Sequence, residues 1–240
     1  MFEATETRMA AFEHLEGQRL PPEMHTVVRL EAIAVDGLLA DEALGFSGPL
    51  DTRLAKTFLK TASYVLRSHS DGLYAFVAGT SFDILLDLDS FRERRDPRQL
   101  LSDFSGEAAA KASLLLDQPA RFDCRLYCFP SGDQAIDYFA WRQRLCRASA
   151  VAHVCESVLV GNGAEPSAAR KILDSMANEE QEEVLANNDV DVGDLAGWVR
   201  TGTGLYWAEP GSIGEGATLL LNPELPDGEA YRIFVERFLE

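Results

Sequence analysis

A 240-residue chain that is 46% hydrophobic and 25% charged can bury one large domain core, with room for a small appendage. No apolar run is long enough to cross a bilayer, and residues 1–6 have neither the basic flank nor the apolar stretch of a signal peptide, so a cytoplasmic location without membrane contact is expected. Thirty-nine Asp and Glu against 22 Lys and Arg give a formal net charge of −17, a field that opposes phosphate neutralisation and argues against strong RNA binding, tRNA included.

Met9, Phe12 and Leu15 recur at helical spacing over residues 4–16, and Leu20-Pro21-Pro22 ends that helix because proline cannot continue it. His25-Thr26-Val27-Val28-Arg29-Leu30-Glu31 has the β-branched character of a strand. Beyond the irregular Gly45-Phe46-Ser47-Gly48-Pro49, Asp51 is placed to cap a helix that buries Leu54, Phe58, Ala62 and Val65. Residues 73–77 and 82–88 are apolar strands on either side of Ala78-Gly79-Thr80-Ser81, which predicts a hairpin. A charged connection over 92–103 leads into an alanine-rich helix ending near Asp117-Gln118-Pro119.

A strand over 124–129 precedes a long helix over 134–159, with Asp133 as its expected cap. After the loop Gly161-Asn162-Gly163 come two short helices, 167–176 and 179–187. The second carries the acidic run Glu179-Glu180-Gln181-Glu182-Glu183, read as a solvated face. Residues 198–207 suggest a strand or hairpin. A domain over 1–207 is therefore followed by a Gly- and Pro-containing tail, 208–240, that ends in a short helix over 229–238. The order of elements is close to βαββαβ. It predicts an α+β fold, a palm-like or ferredoxin-like antiparallel sheet with helices on one face and extra C-terminal helices.

Cys124, Cys128, Cys146 and Cys155 are too few for a disulfide framework and match no zinc spacing, so they are expected as reduced, buried thiols. Only Lys56, Lys60, Lys111 and Lys171 are lysines; the other cations are arginines, suited to phosphate forks and to structural ion pairs alike.

Several fragments, in order, resemble the tRNA-His guanylyltransferase family over residues 6–207. Thr7-Arg8-Met9-Ala10-Ala11-Phe12-Glu13 is similar to its opening Arg-Met-Lys-x-Tyr-Glu helix. Leu20-Pro21-Pro22 with Val27-Val28-Arg29-Leu30 looks like its Leu-Pro and Val-x-Arg-Ile/Leu strand, and Pro49-Leu50-Asp51 like its Pro-Phe-Asp. Phe122-Asp123-Cys124-Arg125 resembles Phe-Asp-Gly/Ser-Arg. Tyr138-Phe139-Ala140-Trp141-Arg142-Gln143 carries its Trp-Arg-Gln helix. Trp198-Val199-Arg200-Thr201-Gly202 with Leu205-Tyr206 is similar to its closing Trp-x-Arg-Lys-Gly…Leu-Tyr.

The resemblance implies a palm polymerase that adds nucleotides from GTP or ATP to the 5′ end of tRNA, with two strand-borne carboxylates holding two magnesium ions. Glu31 stands at the first metal acid, and Ala32 at the glycine whose backbone carbonyl reaches a metal. Ile33 replaces a cation. The family's Gln-Ser-Asp-Glu is here Ala78-Gly79-Thr80-Ser81, so Thr80 and Ser81 replace both acids, and Leu145 replaces another beyond Trp-Arg-Gln. Asp83 points to the same side of its strand as Ser81 and is the available substitute acid. Arg94, Arg95 and Arg98 fall where the family holds the triphosphate, and Arg142, Arg144 and Arg147 form a second set that could contact phosphate. For both sets the alternative is ion pairing with the abundant carboxylates. Gly48 and Thr201 stand where the family has cations.

Trp141, Phe122, Pro49, Trp198, Gly202 and Tyr206, residues of packing and architecture, are kept while the chemical positions are lost. The expectation is a non-catalytic binding or regulatory homologue, assembled with itself or with an active relative. The alternatives are an active nucleotidyltransferase that uses magnesium and GTP through Glu31 with Asp83 or Asp87, a nucleotide sensor, or an acidic interaction module.

Overall fold

Six strands, β1 (His25–Ala32), β2 (Gly72–Ala78), β3 (Ser81–Leu86), β4 (Phe122–Phe129), β5 (Thr203–Trp207) and β6 (Leu219–Asn222), form one sheet in the order β4-β1-β3-β2-β5-β6 with every neighbouring pair antiparallel. The computed structural model describes residues 17–89, 95–209 and 217–239, so the expected helix over 4–16 lies outside the described residues. The described helices are α1 (Val35–Ala40), α2 (Thr52–Ser68), α3 (Pro97–Leu116), α4 (Gly132–Gly161), α5 (Pro166–Asp174), α6 (Asn178–Ala186), α7 (Gly197–Arg200) and α8 (Gly228–Glu236).

Alternation along the strands sends their side chains to opposite sides. Val28, Leu30, Ala75, Val77, Phe82 and Ile84 meet Leu54 and Phe58 of α2 and Leu100 and Phe104 of α3. The intervening Val27, Tyr74, Phe76 and Leu85 meet Ile136 and Phe139 of α4 and Tyr231 and Val235 of α8. The α+β class and antiparallel sheet are those expected. The helices, however, cover both faces rather than one, because β3 is buried at every position and needs cover on both sides.

Local capping follows the short polar side chains. The Asp51 carboxylate accepts the Arg53 N–H at 2.7 Å to start α2, and Asp96 accepts Arg98 N–H at 3.0 Å ahead of Pro97 in α3. The cap of α4 is Ser131, not Asp133: Ser131 keeps extended backbone and accepts Gln134 N–H at 3.4 Å, while Asp133 sits inside the first turn. Residues 198–207 divide into α7, a turn at Gly202 and β5. Gly202 has φ +79°, and a Cβ there would lie 2.5 Å from the Phe76 ring, so only glycine fits. The segment expected as a tail supplies β6 to the sheet and α8 to the second core. The far half of α4 builds a small third core, Val151 and Cys155 with Leu173 of α5 and Leu185 of α6.

Candidate functional site

The β2–β3 turn passes through Gly79 (φ +57°) and fixes the register that assembles the site. Ser81 lies opposite Glu31 and Asp83 opposite Arg29 across the β3–β1 pair, with Asp123 of β4 on the other side of Glu31. All five side chains point to the face covered by α4, where Tyr138 and Arg142, one helical turn apart, descend onto them.

Asp83 is fully buried, and both its oxygens are taken: the Tyr138 hydroxyl donates to Oδ1 at 2.6 Å and Arg142 Nε to Oδ2 at 2.8 Å. A second Arg142 nitrogen donates to Ser81 Oγ at 2.8 Å, and the Ser81 hydroxyl in turn donates a hydrogen bond to the Ala78 carbonyl at 3.0 Å. Burial pushes the Asp83 carboxyl above the ordinary carboxylate range, and the Arg142 charge and the Tyr138 hydrogen bond oppose that rise. Burial is the largest single influence on the Arg142 guanidinium and lowers it; the charge and hydrogen bond of Asp83, with Tyr138 and Glu31, together outweigh burial, and the net direction is upward. Burial and the Asp83 charge likewise raise the Tyr138 phenol. Beside this lock, Arg29 donates to Glu31 Oε2 at 2.9 Å, with the Glu31 side chain 45% exposed.

Glu31, Thr80, Ser81, Arg142, Leu145 and Val199 line a cavity of about 420 Å³ at this end of the sheet. A second cavity of about 660 Å³ shares Asp36, Leu39, Pro49, Leu50 and His153 with it, so the two form one cleft between α1, the loop before α2, and α4. Arg170 of α5 lines the outer part, bound to Glu156 at 2.7 Å and further stabilised by Asp36 and Asp174.

The cleft therefore gathers Glu31, Thr80, Ser81, Leu145 and Arg142, with Asp83 buried behind its wall. Ala32 faces the opposite core, its N–H bonded to the Thr80 carbonyl at 3.1 Å. Arg94 lies outside the described residues. Arg95 lies against the Leu20 backbone and Arg98 is 3.7 Å from Asp96, neither of them among the residues lining the cleft. Arg144 is exposed and not among the lining residues, and Arg147 is bound to Glu182 of α6 at 3.0 Å. Asp87, at the other end of β3, lines a different cavity with Arg237 and Phe238.

The Trp-Arg-Gln triplet divides its work. Trp141, expected as a packing residue, is 37% exposed on the rim, with the Arg29 and Arg142 guanidinium carbons each 5.9 Å from its ring. Arg142 makes the lock. Gln143 donates to the Thr201 and Pro226 carbonyls at 3.2 and 2.9 Å, tying the C-terminal segment to α4. Sequence reasoning missed Arg29 and Tyr138 as site residues. Their signals were present: Arg29 is two positions from Glu31 on one strand, and Tyr138 is four before Arg142 on one helix. Asp36 gave no such signal. The four cysteines are free thiols, and burial pushes Cys146, which lines the cleft, up to about 11 and Cys124 up to about 12.

No family model matches the chain. It is 25% identical over 177 residues to tRNA(His) guanylyltransferase 2 of Arabidopsis thaliana, covering 70% of this chain and 33% of that protein. It is 24% identical over 150 residues to tRNA(His) guanylyltransferase 1 of the same plant, covering 59% and 26%. In sequence the chain is thus similar to part of the tRNA(His) guanylyltransferases, at low identity. It spans a third or less of the length of these curated relatives. Among solved structures, bacterial tRNA(His) guanylyltransferase-like proteins in complex with GTP and with ATP share its fold, with TM-scores of 0.76 and 0.80, identities of 18% and 19%, and coverage of 98% of this chain and 99% of theirs. The Saccharomyces cerevisiae tRNA(His) guanylyltransferase matches at TM-score 0.70 and 18% identity, over 89% of this chain and 95% of that one. Among the described residues no helix is long and apolar enough to cross a membrane.

Proposed function

We propose that this chain is a non-catalytic homologue of the tRNA(His) guanylyltransferases that binds a purine ligand in the cleft and acts as a binding or regulatory partner. The observation that carries the reading is the double occupation of Asp83 by Tyr138 and Arg142. A two-metal palm site needs two carboxylates with oxygens turned to the ions. Here the substitute acid is closed off, Glu31 already accepts from Arg29, and Thr80 and Ser81 offer only neutral hydroxyls. The residues lining the cleft therefore do not fit a magnesium pair.

Purine binding is supported by the cleft itself and by the GTP and ATP complexes in the two bacterial structures of the same fold. Assembly with itself or with an active relative belongs to the same proposal, and tRNA is a weak ligand in it, given the net charge of −17. The test is magnesium-dependent transfer of labelled GTP or ATP to a tRNA 5′ end. The expected result is no transfer above a protein-free control; transfer that disappears in Glu31→Ala overturns the reading.

A further inference from the structure

The charges along the cleft constrain what enters it. Each guanidinium lining it among the described residues is already in a salt bridge, Arg29 with Glu31 at 2.9 Å, Arg142 with Asp83 at 2.8 Å and Arg170 with Glu156 at 2.7 Å. No lysine is among its described lining residues, whereas Asp36 and Asp174 add negative charge. Proteins hold polyphosphates with unspent Arg or Lys, with metal ions, or with the N–H groups of a helix start. Of the two longer helices that begin at the cleft, α2 is capped by a side chain and α5 starts beside a carboxylate and a proline. The start of α2 is satisfied by Asp51, whose carboxylate is held well below its usual range by the Arg53 side chain and then the Ser47 N–H. The start of α5 has Glu165 at its cap and Pro166, which lacks an N–H, in the first turn.

What the cleft does offer suits a neutral ligand rich in donors. Glu31 is half exposed, with Oε2 on Arg29 and Oε1 toward no protein donor among the described residues, and Asp36 is exposed opposite it. Carboxylates accept from ribose hydroxyls and from base N–H groups. Leu50, Leu145 and Val199 supply an apolar wall. The volume of about 420 Å³ lies within the roughly 300–1,000 Å³ of small-molecule sites.

We infer that the cleft binds a purine nucleoside through its base and ribose and selects against the triphosphate; the inference rests on the non-catalytic purine-binding reading above. Calorimetry of the full chain with adenosine, guanosine, ATP and GTP, with and without magnesium, tests it. At least one nucleoside is expected to bind about ten-fold or more tightly than its triphosphate, one tenfold step being the smallest clear preference, and with little salt dependence. Leu145→Asp, on the surface and so compatible with folding, lowers nucleoside affinity by about ten-fold through loss of the apolar wall. Asp174→Arg, in the outer part of the cleft and outside the cavity lined by Glu31, raises triphosphate affinity by about ten-fold and leaves the nucleoside little changed. Triphosphates binding as tightly as nucleosides, or no heat with any of the four, overturns the inference. Tight triphosphate binding without transfer to tRNA overturns this inference alone, whereas transfer activity overturns the non-catalytic reading whatever the ligand order.

Discussion

One set of strands builds two unlike faces. Against α2 and α3 the sheet presents hydrocarbon and aromatic rings, with Phe58 and Phe82 set edge-on to Phe122 at centroid distances of 6.0 Å. Against α4 and α8 it is apolar at the β2 and β5 side, where Tyr74 and Tyr231 share a buried hydroxyl hydrogen bond at 3.0 Å. At the β1 and β3 side the same face becomes ionic. Architecture and chemistry are thus carried by different residues of the same strands, and the fold is shared at 18–19% identity.

The comparison breaks most visibly through Arg142 and Phe104. Arg142→Ala leaves Asp83 charged and unpaired in the interior and is expected to cost about 3–5 kcal/mol in denaturant unfolding. Phe104→Ala on the first face costs a similar amount, about 3–5 kcal/mol, by opening a cavity. The two losses differ in their rescue. Replacing Asp83 and Arg142 together by leucine restores most of the stability, since a buried ion pair is seldom better than an apolar pair of like volume. No partner change restores Phe104→Ala. If the double replacement is as damaging as Arg142→Ala, the lock is more than a neutralised pair.

A pH series sharpens the contrast between the buried lock and the capping carboxylate at Asp51. The folded-state pKa of Asp51 is depressed, first by the Arg53 side chain and then by the Ser47 N–H. Its stabilisation is therefore complete above the unfolded carboxylate pKa of about 3.9 and fades as pH falls from there toward the folded value. The stability gap between the native chain and Asp51→Asn should be constant near neutrality and close below about pH 4; a gap that widens on acidification contradicts the assignment. The smallest effect is expected at the solvent-exposed Arg147–Glu182 pair joining α4 to α6, where Arg147→Ala costs less than about 1 kcal/mol.

Local chemistry was legible where neighbours in sequence decide the outcome. The β-branched run at His25, the helix behind Asp51 with Leu54, Phe58, Ala62 and Val65 inside, and the hairpin at Gly79 all appear where periodicity and turn residues put them. Legibility failed where distant segments decide. Leu219 to Asn222 form a strand only because β5 offers its edge, and the helices divide between two faces because β3 needs cover on both. Family resemblance singles out Glu31, Ser81 and Leu145, and the structure puts all three along one cleft without showing what they do there. Asp83 also lies at that site, but period-2 reasoning could not show that α4 would bring Tyr138 and Arg142, more than fifty residues away in sequence, onto its two oxygens.

The account depends most on Asp83 being spent inside the protein, and on Glu31, tied to Arg29 through Oε2, holding no metal by itself. Manganese, a magnesium surrogate whose bound and free forms are separated by electron paramagnetic resonance, tests this directly on the full chain. The expected result is no stoichiometric site, with the same weak binding in Glu31→Ala and Asp83→Asn as in the native protein. A saturable site of one or two ions per chain that both substitutions abolish would contradict it.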